Sequence, residues 1–397
     1  MTPAHPSADT EPLLEVSDLS VRFELSEETV YAVNGVDLAV DHGETLGVVG
    51  ESGSGKSVTA LSILGLLEGT ARTGGVVRFD GEDLLTKPEE ELREIRGNRI
   101  SMVFQDPGSS LNPVLPVGDQ ISETIRTHQS PGGEGISAFE RSILGNLVRS
   151  RTAFTQYEAS WQRTVELFEE VGIPLPEKRA VEFPHEFSGG MKQRALIAIA
   201  ISCQPDLLVV DEPTTALDVT IEAQILELLE KLQEEFGTAI LFITHDMGVI
   251  REVTDRVAVM YAGNVVETAP TDELFESPKH PYTRALLRSV PRIDGDAVLD
   301  PVEGSVPDLT REPRGCQFAP RCPEANDACS DAVPPAYPVS PSDEPTPVVP
   351  RDNRTPTHDA PAPRPDRDET HLARCVLYGD GAHLTTDGQP SEEVPDE

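Results

Sequence analysis

The chain has 397 residues, enough for two or three domains and a sizeable core, and its 69 acidic against 32 basic residues leave a formal net charge of −37. That charge repels the phosphate backbones of DNA and RNA and disfavours a protein that works mainly by gripping nucleic acid. The longest apolar run, residues 195–201, falls far short of the ~20 residues that cross a bilayer, and residues 1–10 lack the basic start and apolar centre of a signal peptide, so a cytoplasmic chain is expected.

Residues 13–23 and 31–40 alternate apolar and polar positions (Val16, Leu19, Val21, Phe23, then Val36, Leu38, Val40) and predict antiparallel strands joined by an acidic turn at Glu27-Glu28. Residues 44–49 read as a buried parallel strand, and Val58, Leu61, Leu64 and Leu67 recur at helical spacing over 56–67. Between them stands Gly50-Glu51-Ser52-Gly53-Ser54-Gly55-Lys56-Ser57, which fits G-x-x-x-x-G-K-[ST] at every fixed position. Glycines let the backbone aim N–H groups at phosphate oxygens, and the following helix N-terminus adds partial positive charge. Lys56 then reaches the β- and γ-phosphates, and the Ser57 hydroxyl suits Mg²⁺. A strand before the loop and a helix after it argue against a chance match, so nucleotide binding is expected.

Further strands are predicted at 76–81 and 100–104, the second running into Gln105-Asp106-Pro107 and then Ser110-Leu111-Asn112-Pro113. A glutamine at the end of a core strand can offer its amide oxygen to a metal and to an attacking water. Residues 128–156 differ in composition and read as an insertion, either a mobile surface loop or a short helical excursion. A helical pattern resumes at Trp161 and stops at Gly172-Ile173-Pro174. Ser188-Gly189-Gly190 then opens an apolar helix, as a second anion-binding device or as a plain helix cap.

Leu207-Leu208-Val209-Val210 is a buried strand with Asp211 and Glu212 at its C-terminal end, where open α/β sheets place their ligands. Asp211 suits the Mg²⁺ shell, and Glu212 suits general-base or water-orienting duty. An amphipathic helix over 221–236 leads into a final buried strand, 239–243, ending at Thr244-His245-Asp246, where His245 can meet the γ-phosphate.

From 291 onward the chain turns proline-rich and acidic, with Cys316, Cys322, Cys329 and Cys375 in polar, turn-forming contexts. Four thiolates from loops suit an iron–sulfur cluster or tetrahedral zinc, or stay free, and the paired C-x₂-C knuckles usual for structural zinc are absent. Cys203 reads as a small buried apolar residue within the core helix.

The phosphate loop, Gln105, Phe187-Ser188-Gly189-Gly190-Met191, Asp211-Glu212, Ala216-Leu217-Asp218 and His245 occur in the order and approximate spacing of an ABC-type ATPase, which this chain resembles. The resemblance implies an α/β P-loop fold with a RecA-like core, an antiparallel β subdomain and a helical subdomain, plus a small irregular Cys-containing C-terminal region. It implies a head-to-tail dimer in which the loop of one domain and Ser188-Gly189-Gly190 of the other sandwich ATP. Phe23 or Tyr31 would stack on adenine, Asp211 and Gln105 would serve Mg²⁺, Glu212 would polarise water, and His245 would steady the γ-phosphate. Phe187 and Met191 depart from the commonest Leu-Ser-Gly-Gly-Gln while leaving the serine and glycines in place.

Phe104-Gln105-Asp106-Pro107 with Ser110-Leu111-Asn112-Pro113, the run from Asp211 to Thr220, and His280-Pro281-Tyr282-Thr283 narrow the resemblance to ATP-binding subunits of oligopeptide/dipeptide importers. Relatives there are implicated in nickel or sugar uptake, and the four-cysteine tail of that group is associated with a [4Fe-4S] cluster. The resemblance implies two separate permease subunits, a second identical or homologous ATPase, an extracellular substrate-binding protein and a place on the cytoplasmic face of the membrane. The expected division is an unstructured 1–11, an ATPase domain over 12–290 with its helical subdomain at about 106–203, a Cys-bearing 291–378 and an acidic tail, 379–397. Few lysines, more arginines and dispersed acidic residues resemble proteins of salt-loving archaea. The rival is a soluble ABC ATPase acting on ribosomes or DNA, which typically has paired ATPase domains, coiled coils or a basic surface, none of them seen here.

Overall fold

The computed structural model describes residues 11–67, 69–129, 143–215, 217–289, 302, 304–330, 333–340, 342–343 and 371–378, with backbone alone for 143–156. The chain divides into two compact units: 1–39, 46–77 and 244–397 form the first, and 40–45 with 78–243 the second.

In the first unit, strands Thr29–Val40, Leu14–Glu24 and Ala71–Phe79 lie side by side in that order. Val16 and Leu19, three residues apart, are both buried. Asp18 between them has left-handed backbone, φ 49, which shifts the alternation by one residue and keeps both side chains in the core. The strand Thr45–Val49 is buried at every position and runs parallel to Arg256–Tyr261, with Val48 opposite Ala258. A continuous apolar run is what a strand covered on both faces requires. The helix after the loop spans Lys56–Ile63. It is shorter than the periodicity suggested, because Leu64 ends it and Gly65, φ 60, turns the chain away.

Strand Asn264–Pro270 pairs antiparallel with Arg256–Tyr261, with a register shift between Val265 and Glu267. The irregularity accompanies a fully buried carboxylate. Glu267 accepts N–H bonds from Lys279 at 2.7 Å and His280 at 2.8 Å, and its Oε1 lies 2.8 Å from His371 Nε2. His371 begins the segment whose strand Leu372–Ala373 pairs with Asn264–Pro270, and Tyr337–Pro338 pairs with Leu372–Ala373 in turn. Arg374 secures the join, its N–H reaching Val266 O at 2.8 Å and its guanidinium reaching Asp37 at 2.6 Å. The C-terminal region is therefore less irregular than its composition suggested, since two of its segments extend a sheet.

The second unit holds parallel strands Ile100–Val103, Leu207–Asp211 and Ala239–Thr244, with Leu207–Asp211 in the middle. Helices Val117–His128, Ile143–Glu170 and Gly189–Ile201 pack on one another, and Ile121, Ile125, Leu167, Phe168 and Ile197 on them are buried. Within that packing the Ser122 and Ser160 hydroxyls meet at 2.7 Å, and Arg126 donates to Ser122. A buried pair of hydroxyls satisfies itself in this way instead of going unpaired.

Several expectations change. Residues 143–156, read as part of an insertion, begin the 28-residue helix Ile143–Glu170, so the pattern at Trp161 continues a helix already under way; 130–142 lie outside the described residues. Strand 239–244 is not the last, because Arg256–Tyr261, Asn264–Pro270, Tyr337–Pro338 and Leu372–Ala373 follow it. Cys203 is buried, as expected, yet it lies beyond the helix, which ends at Ile201. The expectations for 1–10 and 379–397 fall outside the described residues.

Glu267 joins strand 264–270, the turn at Lys279 and the C-terminal segment. Glu267→Ala should lower unfolding stability by about 3 kcal/mol, as expected when a buried ionic acceptor is removed from its donors. The check is chemical denaturation together with hydrogen exchange, in which residues 371–378 should lose protection first.

Candidate nucleotide site

The first unit carries the phosphate loop. Gly55 caps the helix Lys56–Ile63 in left-handed backbone, φ 98, and a Cβ there would stand 2.5 Å from Ala32 O. At Gly50 a Cβ would meet Met260 O at 2.1 Å. Neighbouring main chain therefore closes both positions to any side chain. Ser52 and Gly53 are exposed at the loop tip, whereas Ser54 is buried and its carbonyl accepts the Gly263 N–H at 2.9 Å.

Lys56 is buried, and its ammonium donates to Gly50 O at 2.8 Å and Glu51 O at 3.0 Å. The charge thus sits inside the curve of the loop. Ser57 is half-buried at the first turn of the helix. Phe23 and Tyr31 are both half-buried, and the Tyr31 N–H donates to Leu309 O at 2.8 Å. His245 is exposed directly after strand Ala239–Thr244, and Asp246 beside it caps helix Met247–Val253.

The second unit brings Gln105 and Glu212 together. Gln105 Nε2 donates to Glu212 Oε2 at 2.8 Å, and Thr215 Oγ1 donates to the same oxygen at 3.0 Å. The amide nitrogen of Gln105 thus meets the carboxylate, leaving the amide oxygen as its other end. Asp211 is the buried last residue of its strand, opposite Ile243. Glu212 follows in left-handed backbone, φ 46, with its N–H on Ile243 O at 2.8 Å. A non-glycine residue in that region is strained, and such strain gathers at functional turns. The sharp bend gives the adjacent carboxylates different settings, one buried and one half-exposed.

Ser188 caps helix Gly189–Ile201, its hydroxyl accepting the Met191 N–H at 3.3 Å, with Ser188 and Gly189 exposed. The structure shows Ser188 as a helix cap at an exposed helix start. A Cβ at Gly190 would stand 2.6 Å from Ile221 Cγ2, so this glycine is needed for helix packing. Phe187 is buried edge-on against Phe168 at 6.3 Å, so its side chain belongs to the core. Asp218 accepts the Ile221 N–H at 3.1 Å and caps helix Val219–Phe236, while Ala216 lies outside the described residues.

The four C-terminal cysteines line one cavity with His280 and Phe318. Burial pushes the Cys322 thiol up to about 11 and Cys375 up to about 12, and the neighbouring cysteines add to the rise. Their donor chemistry suits a thiophilic metal. As the side chains stand, however, no group of three or more His, Cys, Asp or Glu among the described residues could hold an ion. Sequence reasoning missed Thr215 on Glu212, a contact within one turn, and the contacts of Glu51 with Tyr282 and Arg321, whose partners 231 and 270 residues away leave no local signal.

Gly55→Ala should abolish nucleotide binding, since its Cβ must displace the Ala32 main chain and its left-handed backbone costs a further ~1–2 kcal/mol. Binding of a fluorescent ATP analogue, with thermal unfolding alongside, measures both effects.

Residues 33–215 match the family described as ABC transporter, and residues 266–329 match the oligopeptide/dipeptide transporter C-terminal region. The chain is 48% identical over 333 residues to the oligopeptide transport ATP-binding protein OppD of Bacillus subtilis, covering 83% of this chain and 86% of that one. It is 46% identical over 323 residues to OppD of Salmonella typhimurium, covering 81% and 89%. Among solved structures, the dimeric ABC transporter cassette MJ0796 is similar, with a TM-score of 0.54 and 27% identity over 65% of this chain and 98% of that one. A second dimeric structure of that cassette, in a post-hydrolysis state bound to ADP and Pi, gives a TM-score of 0.53 at the same identity and coverage. The chain is therefore a member of the ABC transporter ATP-binding proteins of oligopeptide/dipeptide importer type.

Proposed function

We propose that this ATPase drives uptake of short peptides across a membrane from its cytoplasmic face. The match of residues 266–329 to the oligopeptide/dipeptide C-terminal region carries this reading, because the cassette alone is common to transporters of many solutes. No helix among the described residues is long and apolar enough to cross a membrane. In this reading, as for an importer of this type, permease subunits form the translocation path. A substrate-binding protein delivers the peptide, and a second ATPase, identical or homologous, completes the dimer. The ribosome- or DNA-acting alternative has no support among the relatives described above.

In the proposed cycle the loop from Gly50 to Ser57 wraps the phosphates of ATP, with Lys56 turning its ammonium from its own carbonyls to the β- and γ-phosphates. Phe23 or Tyr31 stacks on adenine. Ser57, Asp211 and the Gln105 amide oxygen serve Mg²⁺, Glu212 orients the attacking water, and His245 steadies the γ-phosphate. Ser188, Gly189 and Gly190 meet the nucleotide held by the partner subunit. ATP draws two cassettes together, and hydrolysis releases them. Glu212→Gln should lower kcat by about 10²–10³ while ATP binding persists. Steady-state hydrolysis and gel filtration in ATP check this, and unchanged turnover would remove Glu212 from its role.

The net charge supports work at high salt, where counterions screen the mutual repulsion of surface carboxylates. The convergence of four cysteines on one cavity supports a [4Fe-4S] cluster or zinc in the C-terminal region, although the thiols would have to draw together to ligate it. One preparation tests the assembly and the metal. Affinity-tagged chain, solubilised from membranes in detergent at high salt without oxygen, should bring down two membrane-spanning polypeptides and carry iron or zinc, which the four-Cys→Ser variant loses. Ribosomes without permeases would overturn the transport reading, and metal-free wild type would end the cluster proposal.

A further inference from the structure

Glu51, the second residue of the phosphate loop, is held from three directions within the first unit. Its N–H donates to Tyr282 Oη at 3.0 Å, and its carbonyl accepts from Lys56 at 3.0 Å. Its carboxylate takes the Arg321 guanidinium at 3.0 Å. The Arg321 side chain is only 6% exposed and is itself braced, donating to Tyr261 Oη at 3.2 Å and Val302 O at 2.9 Å, with its guanidinium carbon 5.7 Å from the Tyr261 ring centre. It ends the 3₁₀ turn Ala319–Arg321, directly before Cys322. Cys316 anchors that stretch, its N–H bonded to Cys329 O at 2.7 Å and its carbonyl accepting from Ala319 at 3.0 Å. Phe318 packs the turn against Tyr261 and Tyr282, both at 5.3 Å.

We propose that Arg321 is a positioning residue for ATP binding: it neutralises and aims away the one carboxylate built into the phosphate loop, so the cysteine-bearing segment sets the loop's affinity for nucleotide. The physical problem is plain. Glu51 lies two residues from Gly53 at the loop tip, and an uncompensated anion there opposes the triphosphate in a chain already at −37. Arg321 cancels that charge with a charge-assisted bond from a braced, nearly dry position, where salt screens it poorly. The inference rests on nucleotide binding by the loop and is independent of the cargo and of what the cysteines hold.

The test is a charge cycle on the full chain, with ATP-analogue affinity read by fluorescence and with unfolding and gel filtration as controls. Arg321→Ala should weaken ATP binding about tenfold, while kcat at saturating ATP changes less than about twofold. Glu51→Gln alone supplies the reference affinity against which the double variant is read. Adding Glu51→Gln to Arg321→Ala should restore most of the lost affinity, because no anion then needs neutralising. Arg321→Lys, which keeps the charge, should stay near wild type if Arg321→Ala proves too unstable to assay. Arg284→Ala, which cuts the 3.0 Å pair between helix Pro281–Arg288 and Glu324 on the same segment, should leave affinity unchanged. Unaltered binding in Arg321→Ala, or a double variant as weak as Arg321→Ala, overturns the proposal. An equal loss in Arg284→Ala reduces the effect to general docking of the segment and overturns it too. Wild type that binds no nucleotide overturns the reading beneath it, and the proposal with it.

Discussion

The absence of room beside Gly50 and Gly55 is the constraint on which the rest depends. Met260 O faces one position and Ala32 O the other, so the loop is shaped by main chain from two strands distant in sequence. Those strands need their own partners. Thr45–Val49 runs in parallel register with Arg256–Tyr261, and Asn34 N–H reaches Gly263 O at 2.7 Å. The curve that results turns the carbonyls of Gly50 and Glu51 onto the Lys56 ammonium.

Charge in this protein sorts by burial. Exposed ion pairs such as Arg93–Glu89 contribute little. Glu267 and Glu51 are treated differently. Glu267, inside the core, collects two main-chain donors and a histidine nitrogen, and in doing so ties the C-terminal segment to the sheet. Glu51, in the loop, collects a nearly buried arginine. Both arrangements bring residues beyond 320 to bear on the nucleotide-binding unit, which gives that region a structural role whatever its cysteines bind.

The carboxylates at the end of Leu207–Asp211 show how one backbone angle divides adjacent identical charges. Asp211 stays in the strand and is buried; Glu212 bends away at φ 46 and meets Gln105 and Thr215. A regular strand would also send neighbours to opposite faces, but without the turn that sets Glu212 beyond the strand end.

The sequence alone determined the loop, its flanking strand and helix, the Asp211-Glu212 strand and the Ser188 helix start, because each is a local pattern whose chemistry depends on near neighbours. Periodicity also found the apolar strands at 45–49, 100–103, 207–211 and 239–244, since a strand buried on both faces must be apolar throughout, but it passed over the equally buried Arg256–Tyr261 and Asn264–Pro270. Tertiary structure decided what periodicity could not see. The stretch 143–156 became helix because it extends a helix packed farther along, not through a strong pattern of its own. Strands as short as Tyr337–Pro338 and Leu372–Ala373 exist only because an edge was available to receive them. Arg321 reached Glu51, and Phe187 entered the core, for the same reason: side-chain partners hundreds or tens of residues apart are chosen by packing, and a single sequence holds no spacing rule for them.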